Sequence, residues 1–118
     1  MPVLPAAHSL PKEERLHGKK DISALLADGK WGTQGCLRYC SKPNSLEYSR
    51  IMVSVPKRLF KRAVKRNLLK RRIREAYRQN KPAGVPGTDI FLQFNAPEAA
   101  DFPTIMADVV KILEKVSK

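Results

Sequence analysis

The pattern of apolar and polar positions along the chain predicts helices that alternate with short strands. Apolar residues at helical spacing predict a first helix over about residues 20–28, with Gly29 as its C-terminal cap. The glycine-containing segment 31–35 is predicted as a turn. Short runs rich in β-branched and aromatic residues predict strands at residues 36–41, 50–55 and 89–95.

Two further helices are predicted from apolar stripes. The segment after Pro56 is predicted to continue as a helix to about Gln79, and Asp101 is placed to cap a final helix. The core-facing stripes are Leu69, Ile73, Ala76 and Tyr77 in the former, and Ile105, Val109, Ile112 and Val116 in the latter. This order predicts an α+β fold, an α/β sandwich in which a small central sheet of about four strands packs with three helices. Strands 50–55 and 89–95 and the helix between them form a β-α-β crossover, right-handed on base rates.

The length of 118 residues is sufficient for one domain with a single modest core. Residues 1–11 contain three prolines and predict a flexible N-terminal arm, so the folded domain is expected over residues 12–118. No apolar run approaches the roughly 18 residues of a membrane span, and the N-terminus is a poor secretory signal. We therefore expect a cytoplasmic protein.

The cysteines offer little chemistry. Cys36 and Cys40 are the only two, and a strand over 36–41 would place both thiols on one face, too far apart for an easy disulfide. A metal site would need more ligands, and His8 and His17 are the only histidines. We predict reduced structural thiols and no metal site.

The positive charge is concentrated in one segment. The formal net charge is +12, and residues 57–74 hold ten of the 23 basic residues and no acidic one. The remaining chain carries 13 basic and 11 acidic residues and is nearly neutral. The charge therefore indicates a polyanionic partner for that segment.

Read as a helix, this segment has a polar side opposite its apolar stripe. Asn67, Arg71, Arg74 and Arg78 fall on that side, with Lys70 at its edge. Like charges four residues apart destabilise a helix by a few tenths of a kcal/mol, roughly, so their stacking favours a partner that supplies phosphates. A membrane surface needs a wider apolar face, and a merely solvated helix normally mixes in acidic residues.

RNA fits this arrangement better than DNA, because a strand rather than a second helix precedes the basic helix. Tyr39 is equally well explained as a stacking surface on a strand or as a core residue. No paired carboxylates, Ser-His-Asp set or acidic metal cluster is present in the sequence, so we predict no catalytic residue in the chain itself.

The stretch SVPKRLFKRAVKRNLLKRRIREAY closely resembles the signature of the bacterial ribonuclease P protein subunit. The matching positions are Ser54, Val55, Lys57, Arg58, Ala63, Val64, Arg66, Asn67, Lys70, Arg71, Ile73 and Arg74. Arg15, Leu16, Gly29 and Tyr39 also fit, so the resemblance spans roughly residues 12–118.

The resemblance implies a protein that binds a large catalytic RNA and the 5′ leader of precursor tRNA, and assists endonucleolytic removal of the leader. It also implies that the RNA performs the hydrolysis with Mg²⁺ bound mainly by the RNA, that no organic cofactor is used, and that the crossover is left-handed. Neither a membrane nor DNA is an expected partner. The RNA-binding set comprises Arg66, Asn67, Lys70, Arg71 and Arg74, with Lys65, Arg72 and Arg78 from the same basic segment. The leader-cleft set comprises Tyr39, Ser54, Lys57, Arg58, Ile22 and Leu26.

The sequence departs from the family pattern at two places. Leu68 stands where the family has an arginine that contacts RNA, and we expect the neighbouring Arg72 to compensate. Ile22 and Leu26 stand where the family often has two aromatics, so leader contact from the first helix should be apolar or weaker. The alternatives are a structural, ribosomal-type RNA-binding protein with no role in cleavage, and a nuclease with its own active site.

Overall fold

The computed structural model describes residues 14–16, 18–46, 48–80 and 87–116. Three helices and four strands lie in the predicted order, and the predicted arm over residues 1–11 lies outside the described residues. The elements are α1 (Lys19–Asp28), β1 (Lys30–Gln34), β2 (Leu37–Pro43), β3 (Arg50–Ser54), α2 (Ala63–Gln79), β4 (Thr88–Phe94) and α3 (Phe102–Val116).

The four strands form one mixed sheet in the order β1-β2-β4-β3. Strand β4 is central, antiparallel to β2 and parallel to β3. Because α2 connects the two parallel strands, the predicted β-α-β crossover is confirmed. The burial of β4 on both faces explains its nearly continuous apolar sequence.

The main core lies between the sheet and the helices α2 and α3. The predicted stripe of α2 is confirmed, since all four of its residues have no exposed surface. In α3 the stripe residues Ile105, Val109 and Ile112 are likewise fully buried. The carboxylate of Asp101 accepts a hydrogen bond from the backbone N–H of Thr104 at 3.0 Å, which is the predicted N-terminal cap.

Helix α1 covers part of the opposite face of the sheet. Its buried Leu25 packs with Leu16, Cys40 and Phe91 in a second, smaller core cluster. Gly29 ends the helix as predicted, with its N–H donating to the carbonyl of Leu25 at 2.8 Å. A Cβ atom at Gly29 would collide with the Cys40 sulfur, so glycine is required by close packing of the helix end on β2.

The segment 31–35, predicted as a turn, is mostly strand β1. Glycine usually weakens a strand, but Gly32 pairs with Tyr39 of β2, and the tyrosine ring occupies the space where a Cβ atom would stand. The turn comes later, at Gly35 and Cys36, where Gly35 has a φ of +57°. Glycine is therefore required at position 32, because the Tyr39 ring on the neighbouring strand leaves no room for a side chain.

The prediction that both cysteines share one strand face is wrong. Strand β2 begins at Leu37, so Cys36 belongs to the turn and packs against the main core. Cys40 faces the other way, into the cluster under α1. Both thiols are free, as predicted.

The β1–β2 turn is held to α3 by the buried carboxylate of Asp108. One oxygen of this carboxylate accepts hydrogen bonds from the backbone N–H of Cys36 at 3.0 Å and from its Sγ at 3.1 Å. Burial, and then the hydrogen bond and charge of Asp108, raise the pKa of the Cys36 thiol to about 12. The protonated thiol is therefore part of the folded structure.

This contact predicts a stability loss at alkaline pH. The folded-state pKa of Cys36 is raised from an ordinary 9.0 to about 12, so its contribution is complete below pH 9.0 and is lost as the pH rises toward 12. Cys36→Ser retains a donor to Asp108 but does not titrate there. We expect the urea unfolding midpoint of the native protein to fall more steeply above pH 9.0 than that of Cys36→Ser. Parallel pH profiles would refute this role for the thiol.

Candidate nucleic-acid interface

The basic segment divides into an anchored loop and a helix. The prediction of a helix directly after Pro56 is wrong, because α2 begins only at Ala63. The N–H groups of Leu59 and Phe60 bond to the Pro56 carbonyl in a turn. The buried Phe60 ring packs against Phe94 with ring centroids 5.6 Å apart. The four basic side chains of this loop are exposed around that anchor: Lys57, Arg58, Lys61 and Arg62.

The start of α2 is strongly positive. The N-cap residue Arg62 makes no capping hydrogen bond with its side chain, and the first turn contains no acidic residue. Lys61, Arg62 and Lys65 therefore add positive charge at the positive end of the helix dipole, which is unfavourable in isolation. An anionic partner would relieve this repulsion, as phosphate groups do at helix N-termini.

The predicted RNA-binding residues of α2 differ in exposure. Those whose side chains are exposed are Lys65, Asn67, Arg71 and Arg74, whereas Arg66, Lys70, Arg72 and Arg78 are half-buried. Because the opposite side of the helix is fully buried in the core, the exposed group points away from the sheet. The structure thus brings Asn67, Arg71 and Arg74 together on one outward side of α2, whereas Arg66, seven residues before Ile73, lies on the side of the buried stripe.

Two arginines of the set also hold the backbone in place. The Nη1 of Arg66 donates to the carbonyls of Phe60 and Lys61 at 2.9 and 2.7 Å, which fixes the loop that enters α2. The Nη1 of Arg72 donates to the Ala100 carbonyl at 2.6 Å, so Arg72 links α2 to the segment before α3. Each guanidinium has five N–H donors, which leaves further donors for a ligand.

Arg78 contributes less positive charge than the rest of the set. Its guanidinium makes a bidentate ion pair with Glu75, with hydrogen bonds of 2.9 and 2.5 Å. This hydrogen bonding raises the pKa of Arg78. The pair closes the basic surface at the C-terminal end of α2.

Arg15 extends the basic surface beyond α2. It forms a parallel bridge with Ile51 at the outer edge of β3, and its side chain is exposed. Partial burial, and then the charge of Arg15, lower the pKa of Arg74. Two arginines from distant parts of the sequence therefore come close together. The charge pattern of the basic segment did not predict that Arg15 belongs to this surface. Only the family resemblance singled out this residue.

An apolar strip crosses the same surface. Val64 and Leu68 lie one helical turn apart, with 79% and 36% of their surface exposed. Leu68 occupies the position at which the resembling family carries an arginine. Arg72 is the nearest arginine that could replace the family's arginine at this position. Its hydrogen bond to the Ala100 carbonyl also gives it a structural role.

The predicted leader cleft corresponds to the sheet face that α1 covers only in part. Ile22 and Leu26 of α1 pack against the small core cluster and form one wall. Ser54 lies on the same sheet face as Met52 of that cluster, because side chains alternate along β3. Lys57 and Arg58 follow just beyond Ser54 and are exposed. Five of the six predicted cleft residues are thus at or beside this face.

The placement of Tyr39 in that cleft is corrected by the structure. Tyr39 is in register with Leu92, and both belong to the face packed against α2 and α3. Its ring covers Gly32 of the neighbouring strand. Of the two explanations open at the sequence level, the packing role is the one the structure supports.

The alternation of β2 instead directs Arg38 and Cys40 to the cleft side. Arg38 is exposed, and its Cζ atom lies 4.3 Å from the centre of the Trp31 ring. Trp31 is 42% exposed and packs edge-on against Phe91. Sequence reasoning missed both Arg38 and Trp31 because segment 31–35 was predicted as a turn. A strand predicted there would have placed the two side chains on the same face of a hairpin.

The described residues contain no group of three or more His, Cys, Asp or Glu side chains suited to hold a metal ion. In the same part of the chain, none of the helices has the length and apolar character needed to cross a membrane.

Comparison with known proteins gives a consistent family assignment. The sequence model of the family described as Ribonuclease P matches residues 10–117. The ribonuclease P protein component of Nitrosomonas europaea is 32% identical over 111 residues, covering 93% of this chain and 92% of that protein. The counterpart from Porphyromonas gingivalis is 44% identical over 80 residues, and the match spans 65% of this chain but only 58% of that relative.

The fold has counterparts among solved structures. The ribonuclease P protein from Thermotoga maritima superposes with a TM-score of 0.75 at 28% identity, covering 87% of this chain and 97% of that one. The predicted fold class, a four-stranded sheet with three helices, is confirmed.

The two neighbouring arginines Arg71 and Arg72 should differ in their effect on stability. Arg72→Ala removes the hydrogen bond to the Ala100 carbonyl and should lower the free energy of unfolding by about 1 kcal/mol. Arg71→Ala changes an exposed side chain and should stay within about 0.5 kcal/mol of the native value. Urea denaturation followed by circular dichroism measures both, and an equal loss for the two variants would contradict the structural role of Arg72.

Proposed function

The chain belongs to the ribonuclease P protein family, and from that premise we propose that it is the protein subunit of a bacterial ribonuclease P. In this role it binds the catalytic RNA and the 5′ leader of precursor tRNA, and assists endonucleolytic removal of the leader to give the mature 5′ end. The complex of this chain with the catalytic RNA would be a cytoplasmic ribonucleoprotein.

The observation that carries the proposal is the one-sided charge of α2. Its apolar side is fully buried, and its opposite side exposes Asn67, Arg71 and Arg74 with no acidic residue before Glu75. Arginine binds phosphate oxygens bidentately, so a row of such side chains suits a nucleic-acid backbone. With the loop cations and Arg15, the surface is long enough to follow several successive phosphates.

The cleft beside α1 supports a second contact with RNA. It combines an apolar wall of Ile22 and Leu26 with the hydroxyl of Ser54 and the cations that follow it. Unpaired RNA exposes base faces and phosphates. A site for it therefore needs an apolar surface for the bases and cations for the phosphates. The leader of a precursor tRNA is a single strand of this kind.

We assign the hydrolysis to the partner RNA, with Mg²⁺ held mainly by that RNA. The charged side chains that are exposed on α2 and its loop are cations, which screen phosphates and repel divalent metal ions. Their contribution is to hold and orient the RNA. Magnesium then supplies the activated water and charge stabilisation within the RNA.

A structural RNA-binding protein of the ribosomal type would use the same basic surface. The predicted leader cleft distinguishes the two functions, since a purely structural role gives no reason for a second RNA-binding surface on the opposite face of the sheet. A nuclease that acts alone would cleave without the catalytic RNA. The three functions predict different results when the chain is added to precursor tRNA with and without the catalytic RNA.

We predict that the purified chain alone leaves precursor tRNA intact. Added to the cognate catalytic RNA, it should raise the cleavage rate at low Mg²⁺, because its cations replace part of the counterion charge that the RNA complex requires. The measurement is the rate of leader release across a Mg²⁺ titration. Arg71→Ala combined with Arg74→Ala should shift the Mg²⁺ requirement upward.

The outcomes separate the candidates. Absence of stimulation at every Mg²⁺ concentration would contradict the proposed function. Cleavage by the protein without RNA would indicate a nuclease. Lys111→Ala serves as a control on α3, since it removes an exposed cation that is outside the predicted RNA-binding set.

A further inference from the structure

A row of polar side chains crosses the uncovered part of the α1-facing side of the sheet. The strand register aligns Ser54 of β3 with Gln93 of β4, Gln93 with Arg38 of β2, and Arg38 with Thr33 of β1. Neighbouring strands are about 4.8 Å apart, so the row is about 14 Å long. It leads from the cations that follow Ser54 to the outer edge of the sheet at β1.

Trp31 stands at the β1 end of this row, held in place on two sides. Its Nε1 donates to the Leu26 carbonyl of α1 at 3.2 Å. The Phe91 ring packs against it in a T-shaped arrangement, with ring centroids 6.0 Å apart and planes at 81°. Despite these contacts 42% of its surface is exposed, which is unusual for so large an apolar side chain.

Arg38 covers part of the Trp31 ring. Its Cζ lies 4.3 Å from the ring centre, which is the distance of a cation–π contact. Among the described residues the structure records no carboxylate paired with Arg38. The guanidinium is therefore positioned by the indole, while its charge and its outward side are available to a ligand.

We propose that Arg38 and Trp31 form the stacking site for an unpaired base of the precursor tRNA leader, at the β1 end of the cleft. The inference rests on the proposed function and adds to it the residues that recognise the base. Guanidinium and indole planes both stack on nucleobases, and the Arg38 charge can contact the adjoining phosphate. Charge complementarity favours a nucleic acid as the occupant, because Lys57 and Arg58 at one end of the path and Arg38 near the other are cations.

The composition of the opposite wall makes this site more important. Helix α1 presents Ile22 and Leu26 to the cleft, and neither side chain offers a planar surface to a base. On the α1-facing side of the sheet, Trp31 is the exposed aromatic, since Phe91 is 95% buried. Stacking in this protein is thus displaced from the helix to the outer hairpin of the sheet.

The position of the pair makes its effect depend on leader length. A short leader would occupy the Ser54 end near the cations, and only a longer one would cross the sheet to β1. We therefore measure the affinity of the reconstituted holoenzyme for three RNAs: mature tRNA, precursor with a leader of one or two nucleotides, and precursor with a long leader. Trp31→Leu and Arg38→Lys are compared with the native protein.

We expect both variants to weaken binding of the long-leader precursor by about fivefold or more, the scale of one base–aromatic stack. Binding of the other two RNAs should stay unchanged. Arg38→Lys keeps the positive charge and removes the plane, so its loss reports stacking rather than electrostatics. Because Arg38 is exposed, this variant tests the site even if Trp31→Leu proves unstable in urea denaturation.

A matched control is available on the same hairpin. Lys30 is exposed and precedes Trp31, so its side chain points to the opposite face of β1. Lys30→Gln and Arg38→Gln remove the same charge, but only Arg38→Gln should reduce affinity in a leader-dependent way.

The single tryptophan of the chain provides a direct readout. Its fluorescence in the holoenzyme should change when the long-leader precursor is added and remain constant with mature tRNA. Equal losses for all three RNAs, or no loss for either variant, would overturn the stacking site. If the native chain fails to form an active holoenzyme, the proposed function itself fails, which is a different result from an active holoenzyme indifferent to Trp31 and Arg38.

Discussion

Burial of the apolar stripe of α2 is the constraint on which the rest of the arrangement depends. Leu69, Ile73, Ala76 and Tyr77 have no exposed surface, and burying one large aliphatic side chain contributes roughly 1.5–3 kcal/mol. Repulsion between like charges one turn apart costs only a few tenths of a kcal/mol, roughly. Burial therefore prevails and fixes the rotation of the helix, so the cations must face outward whether or not a partner is present. The unrelieved charge is what a phosphate backbone would neutralise.

The second constraint is the pairing of β2 with β4, which decides what each face of the sheet presents. Adjacent residues on β2 point to opposite faces, so Tyr39 enters the main core while Arg38 reaches the cleft. Strand β4 transmits this alternation to β3, where Val53 is on the core side and Ser54 on the cleft side. The basic surface of α2 and the predicted leader cleft beside α1 are thus on opposite sides of one sheet, so two segments of RNA bound there would not compete.

The sequence was sufficient for the features that depend on periodicity and caps, and insufficient for those that depend on pairing across the hairpin. The stripes of α2 and α3, the end of α1 at Gly29 and the crossover were all predicted, because local pattern and burial agree there. Strand β1 was missed because Gly32 signals a turn unless the Tyr39 ring above it is known. That error moved the start of β2 and led to the wrong face for Cys36, whereas the placement of Tyr39 in the leader cleft came from the family resemblance. The cleft residues other than Tyr39 came from the family motif, and the left-handed crossover it implies stays a prediction.

Binding of RNA phosphates by the exposed arginines of α2 would make RNA affinity strongly dependent on salt concentration. If about six to eight phosphates are neutralised, the logarithm of the association constant should fall with the logarithm of salt concentration at a slope of roughly −4 to −7. Replacing Arg71 and Arg74 by alanine should make that slope shallower by about two, with the fold intact. An unchanged slope in a folded double variant would mean that α2 does not bind the RNA through these arginines and that the RNA surface lies elsewhere on the molecule.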